Sequence, residues 1–248
     1  MVHLGPFMVT WHGLLTAVGV VVSAYAARHY ARRFGFDADI VWTLLPYVAL
    51  AAIVGGRLAY VGANLAEFRL APLEALRIHR GGLGSFGALI GALAALVVFA
   101  RVRRLPTWRL ADALAIAIPI NYLSMRVGNF LIGELYGDVS SLPWAVTLPG
   151  VAGARHPVPL YDALAQAALI VFLVRRARSV PFDGFLFWWT LFYVSVIRFA
   201  VDLLRSEWRA VGFLTLGQIG ALLLAAVSVA MLARRRRETP LPQSEEAT

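Results

Sequence analysis

The chain has 248 residues, 60% of them hydrophobic and only 15% charged, with a mean hydropathy of +0.71. Soluble domains seldom exceed about half apolar residues, so composition excludes a water-soluble enzyme and indicates a polytopic helical membrane protein. The net charge of +9 comes from arginine alone, and these cations gather at the ends of apolar runs, a pattern of membrane orientation rather than of nucleic-acid binding.

Seven apolar runs follow one another, at about 9–27, 41–63, 83–100, 110–130, 159–174, 184–203 and 213–233. Each is close to the length that crosses about 30 Å of hydrocarbon, where only helices satisfy their own backbone. The fold expected is therefore all-α, a single seven-helix membrane domain over residues 1–237. The first run lacks a basic segment before it and is read as a retained span rather than a cleaved signal. Arg28/Arg32/Arg33, Arg101/Arg103/Arg104/Arg109, Arg175/Arg176/Arg178 and Arg234 to Arg237 fall after runs one, three, five and seven. That alternation puts fourteen arginines on one face, the cytoplasmic one, with the N-terminus outside and the C-terminus inside. The loop at about 131–158 then faces outward, and the polar tail 238–248 is expected to be disordered. Without cysteine, the chain has neither a disulfide nor a thiol nucleophile of its own.

Charge inside a span is expensive, about 2.5–3.5 kcal/mol at a helix centre, and marks function by default. Five residues stand out on this ground: Arg57, Asp112, Arg126, Arg198 and Asp202. Arg198 and Asp202 are four apart and can pair on one helical face. Asp112 and Arg126 lie fourteen residues apart on one expected helix, about 21 Å, and so occupy opposite ends of it. The stretch RVGNFLIGELYG (126–137) then gathers Arg126, Asn129 and Glu134 at the outward mouth of the bundle. Gly128, Gly133 and Gly137 in it permit close backbone approach or a break in the helix. Arginine suits bidentate phosphate recognition. Asn129 suits an ester or hydroxyl, and Glu134 suits orienting an arginine or moving a proton. Helix packing with a capped end is the competing reading of this stretch, and a neutralised pair the competing reading of Arg198 and Asp202. Spacing alone supports the binding of something anionic at the outer leaflet.

Residues 126–144, RVGNFLIGELYGDVSSLPW, resemble the signature of the bacterial prolipoprotein diacylglyceryl transferases. The resemblance extends to GPF with WHGLL (5–7, 11–15), GGRLAYV (55–61), Asp112, RHPVPLYD (155–162), and RFAVDLLR with GFLTLGQ (198–205, 212–218). It implies a seven-span enzyme of the bacterial inner membrane with its active site towards the outer, periplasmic leaflet. Such an enzyme transfers diacylglycerol from phosphatidylglycerol to the lipobox cysteine thiol of a prolipoprotein, forming a thioether and releasing glycerol phosphate. No metal, cofactor or nucleic acid is implied. Arg126 and Arg198 would hold the phosphate and stabilise charge on the leaving group. Glu134 and Asp202 would orient those arginines or help deprotonate the thiol. The matching elements add Arg57, Asp112, Asn129, Gly137, His156 and Tyr161 as candidate substrate contacts.

The sequence departs from the family at several points. Where the family carries a histidine in Gly-Gly-x-Ser-Phe-His-Gly, this chain reads GGLGSFG at 81–87, with Phe86 at that position when aligned without a gap. His79 lies nearby. His12 replaces the first-span tyrosine and is either a restored imidazole near the site or neutral drift. Asp202 replaces a glutamate, Pro159 a glutamine, and Asn121, Tyr122, Leu123 and Met125 replace glycines ahead of Arg126. The transferase is the reading adopted. A paralogue with another acceptor and a silent lipid-binding or transport protein are its alternatives.

Overall fold

In a computed structural model, the protein is described at residues 2–4, 7–9, 11–78, 81–205 and 214–238. His79, Gly5 and Pro6 of the opening GPF, and the tail beyond Glu238 lie outside these residues. Nine α-helices occur among them: α1 (Trp11–Arg33), α2 (Ile40–Ala63), α3 (Leu65–Leu70), α4 (Ser85–Val102), α5 (Thr107–Ala115), α6 (Ala117–Leu131), α7 (Val158–Arg176), α8 (Phe185–Asp202) and α9 (Leu216–Glu238). Two short antiparallel ladders accompany them, β1 (Val2–Leu4) with β2 (Phe7–Val9) and β3 (Val146–Thr147) with β4 (Ala154–Arg155).

The seven expected runs each find a helix or helix pair. Five described segments are long and apolar enough to cross a membrane: α2, α5 together with α6, α7, α8 and α9. The apolar part of α4, Phe86–Val102, is shorter, and α1 has 23 residues. The protein is thus mostly helical and of multi-pass membrane type. The fourth run is not one uninterrupted helix. It divides at Ile116 into α5 and α6, because Pro119 has no N–H to donate to the carbonyl of Ala115. Helix α9 continues one residue past the expected domain edge, carried by the Arg234–Glu238 pair at 2.9 Å, four residues apart.

The chain divides into two compact units, Arg28–Ala111 and the remainder, Met1–Ala27 with Asp112–Thr248. In the first, α2 packs along α4. A Cβ on Gly87 would lie 2.2 Å from the carbonyl oxygen of Gly55, and one on Gly55 would lie 2.4 Å from that of Gly87. The two backbones therefore touch, which is how small residues let membrane helices associate. The glycine-rich stretch 81–87 belongs to this contact, with the Gly84 N–H donating to the Gly56 carbonyl at 2.8 Å.

In the second unit, α6 packs on α7, α7 on α8, and α8 on α9. Helix α1 joins α6 closely: Cβ atoms built on Gly19 and Gly128 would sit 2.6 Å from Ser124 Cβ and 2.9 Å from His12 Cα. The long loop is folded rather than loose. Its strands β3 and β4 pair Val146 with Arg155 and Thr147 with Ala154, and Val139 bridges to Arg155.

Candidate active site

Arg126 stands on the last two turns of α6 and is 8% exposed. Its Nε donates to Asp162 Oδ2 at 2.5 Å, and Nη1 lies 3.5 Å from Asn129 Oδ1. The ring of Tyr122, one turn earlier, covers the guanidinium carbon at 5.6 Å. Asp162 is itself 3% exposed and accepts a second bond from Gln166 Nε2 at 3.0 Å on its other oxygen. A buried charge pair depends on further hydrogen bonds to its other polar atoms; Gln166 engages the second oxygen of Asp162, while Arg126 has only the long contact to Asn129. The consequence for Arg126 is orientation. With Nε tied to α7, its remaining guanidinium donors include the fork that suits a phosphate.

The second arginine is on α8. Arg198 Nη2 lies 3.1 Å from Asp202 Oδ2, and Asp202 is buried while the Arg198 side chain is 39% exposed. The start of α9 braces this pair. Thr215 and Gln218 form a capping box: Gln218 N–H donates to Thr215 Oγ1 at 3.0 Å, and Thr215 N–H donates to Gln218 Oε1 at 3.0 Å. The Thr215 hydroxyl also approaches Asp202 Oδ2 at 3.4 Å. Between them, Gly217 leaves no room for a side chain, since a Cβ there would lie 2.6 Å from Asp202 Oδ2 and 3.0 Å from Arg198 Nη2.

Arg126, Asp162 and Arg198 line one narrow cavity of about 10 Å³, with Leu135, Val201 and Arg205 also on its wall. Leu135 holds a left-handed backbone at φ 58°, a conformation that non-glycine residues adopt rarely and that clusters at functional sites. The cavity has room for about one water, and the two guanidiniums are aimed at it from α6 and α8.

The other sequence-identified residues fall around this centre or away from it. Glu134 is exposed and makes no side-chain bond to either arginine among the described residues; Asp162 takes the orienting place. His12 packs its backbone against Gly128, one residue before Asn129 in sequence. His156 and Tyr161 meet each other, with His156 Nδ1 3.3 Å from the Tyr161 hydroxyl, which accepts from Trp144 Nε1 at 2.8 Å. Gly137 is buried where the loop crosses the end of α8: its N–H donates to the His156 carbonyl, and a Cβ would lie 2.7 Å from the Leu204 oxygen.

Two residues serve their own surroundings. Asp112, 1% exposed, accepts the N–H groups of Gly184 and Phe187 at 2.7 and 2.8 Å. It therefore caps the N-terminus of α8, about 21 and about 27 Å of helix away from Arg198 and Asp202 respectively. In the other unit, Arg57 donates to the carbonyls of Glu74, Ala75, Gly81 and Gly82 at 2.6–3.0 Å. Its guanidinium carbon also lies 5.6 and 5.3 Å from the rings of Tyr60 and Phe68. Phe86, at the position of the family histidine, is 42% exposed.

Asp162 closes RHPVPLYD and lies inside the run 159–174, yet is not among the five charges singled out by residue order. The rule that singled out five charges within spans applies to it equally. Gly217 and Arg205 carried no such signal, because close packing and a shared cavity are not visible in residue order.

Fold and site together define a multi-pass helical membrane protein with an arginine-lined cavity within its helical layer. The chain belongs to the prolipoprotein diacylglyceryl transferase family, whose model matches residues 1–234. Among similar proteins, the phosphatidylglycerol–prolipoprotein diacylglyceryl transferase of Chromohalobacter salexigens is 35% identical over 246 residues, covering 96% of this chain and 92% of its own. The protein of the same name from Methylococcus capsulatus is 34% identical over 244 residues, with 94% and 93% coverage. That of Geobacter sulfurreducens is 32% identical over 253 residues, with 96% coverage of both chains.

Proposed function

We propose that this protein transfers the diacylglyceryl group of phosphatidylglycerol to the lipobox cysteine thiol of a prolipoprotein. The thiolate sulfur attacks the glycerol carbon bonded to the phosphate oxygen. A C–S thioether forms, the C–O bond breaks, and glycerol phosphate leaves with the bonding electron pair. Arg126 and Arg198 hold the phosphate and stabilise the charge that gathers on it as the bond opens. Asp162 and Asp202 orient them. His12, Glu134 and Asp202 are the candidates for removing the thiol proton, and Asn129 for an ester or hydroxyl contact. His156, Tyr161 and Trp144 form a rim on the loop side. The observation that carries this reading is the convergence of two carboxylate-held arginines on one cavity, in a chain of this family.

The topology we propose has seven spans, α5 and α6 counting as one, with the N-terminus and the 131–158 loop outside and the C-terminus in the cytoplasm of a bacterial inner membrane. Arginines in the last turns of α1, α4, α7 and α9 support it.

A second reading, transfer to an acceptor other than a lipobox cysteine, draws on Phe86 standing where the family carries histidine. The test combines purified protein, phosphatidylglycerol micelles and a lipobox peptide. Diacylglyceryl thioether on the peptide supports transfer to cysteine. Glycerol phosphate released without thioether favours the other acceptor, and neither product leaves a silent lipid binder. Complementation of a strain depleted of its own transferase gives the same answer in cells.

A further inference from the structure

Within the cavity, each of the two arginines described above already has a carboxylate. Arg126 is matched by Asp162 and Arg198 by Asp202, so each pair is formally neutral. Neutral pairs orient donors but do not draw an anion from a distance. The cavity wall holds a third arginine, Arg205. Its Nε is shielded from solvent without a hydrogen-bond acceptor, and no carboxylate is paired with it among the described residues.

The backbone explains its position. Arg198, Val201, Asp202 and Arg205 are spaced by three, four and seven residues, the repeat of one helical face. The chain keeps that face past the end of α8 by a tight turn, in which Leu203, Leu204 and Arg205 donate to the carbonyls of Ala200, Val201 and Asp202 at 3.2–3.3 Å. Arg205 is thereby delivered to the same wall as Arg198, facing α7 residues Pro159 and Asp162 across the cavity. A buried N–H lacking an acceptor is unfavourable and is rare in native proteins unless a ligand or water completes it.

We propose that Arg205 is a further anion-binding residue of this site, contributing its net positive charge and an Nε donor for a phosphate oxygen. Its ligand class is a glycerol-linked phosphate. The source is either the phosphodiester of the lipid substrate or the phosphate monoester that leaves. This inference rests on the transfer reading above, but its charge argument stands without turnover. Among the described residues, three guanidiniums against two carboxylates leave one positive charge for one anionic phosphodiester. Without Arg205 the described charges of the cavity balance.

The test compares wild type, Arg205→Gln, Arg205→Lys and, as a control of equal charge change away from the cavity, Arg234→Gln. Native mass spectrometry measures retention of phosphatidylglycerol over phosphatidylcholine. The expected result is about a tenfold loss of that preference in Arg205→Gln, partial recovery in Arg205→Lys, and no change in Arg234→Gln. In the transfer assay, Arg205→Gln raises KM for phosphatidylglycerol about tenfold while kcat falls by less than threefold. Loss of inhibition by soluble glycerol phosphate, with lipid retention unchanged, assigns Arg205 to the departing monoester instead. Wild-type lipid preference, KM and glycerol phosphate inhibition in Arg205→Gln would overturn the proposal. So would a fall in kcat at constant KM that Arg205→Lys does not rescue. Absence of turnover in the wild type counts against the transfer reading, and lipid retention then decides on Arg205 by itself.

Discussion

Arg126 and Asp162 bind helices α6 and α7 together through a single bond of 2.5 Å, deep enough that each side chain is less than a tenth exposed. Thirty-six residues separate them in sequence. The pair does two things at once: it neutralises a charge within the helical layer and fixes which edge of the guanidinium faces the cavity. Removing one member therefore affects folding and function by separate routes.

Asp162→Asn keeps the shape and removes the charge. A charge-assisted hydrogen bond contributes about 1.5–3 kcal/mol, so transfer activity should fall between about tenfold and about a hundredfold. Asp162→Ala leaves the arginine buried and uncompensated and should destabilise the protein by about 3–5 kcal/mol. Thermal unfolding in detergent beside the transfer assay separates the two effects. Equal activity in Asp162→Asn and wild type would remove Asp162 from the site.

Gly217→Ala introduces a methyl group 2.6 Å from Asp202 Oδ2. In an open helix the same change favours folding by about 1 kcal/mol, but here contact with the Arg198–Asp202 pair dominates. The expected outcome is a raised KM for phosphatidylglycerol. Kinetics on the purified variant check it, and an unchanged KM shows that α9 does not brace the pair.

Arg57 reaches four backbone carbonyls of the segment between α3 and α4. Arg57→Ala strands those acceptors and should lower stability by at least about 3 kcal/mol. Arg57→Lys, with three donors and no planar fork, should recover only part. Protease cleavage within residues 71–82 should speed up in both variants. Loss of lipid retention without faster cleavage would return Arg57 to the substrate contacts.

Asp112→Ala uncaps α8 and should lower stability by about 1–2 kcal/mol. Asp112→Asn keeps one carbonyl acceptor and should lower it less. Since Arg198 and Asp202 stand at the other end of the helix, KM of the folded variants should stay near that of the wild type. A stable Asp112→Ala protein with a greatly raised KM contradicts the capping role.

How much of this was legible in residue order follows from the range of the interactions. Helices were readable because apolar runs and arginine clusters are local signals. The division at Ile116 depends on Pro119 and was visible in principle. The Arg198–Asp202 pair is four residues long and so could be read from spacing. Arg126 stands out by the cost of its charge; residue order offers Glu134, eight residues away, to orient an arginine or move a proton, whereas α7 brings Asp162 to Arg126. Arg57 and Asp112 drew notice for the same cost, yet their ligands are backbone groups 17–25 and 72–75 residues distant. Sequence shows that a buried charge needs a partner. It does not show whether that partner is a substrate, a side chain or the backbone.

The most direct test of the phosphate-binding role proposed for Arg126 is the reaction itself. Purified wild type and Arg126→Ala are incubated with phosphatidylglycerol and a lipobox peptide, and both products are measured by mass spectrometry. Wild type should yield thioether peptide and glycerol phosphate in equal amounts, and Arg126→Ala should yield neither above background. Wild-type product levels from Arg126→Ala, with the same KM for phosphatidylglycerol, would contradict the account.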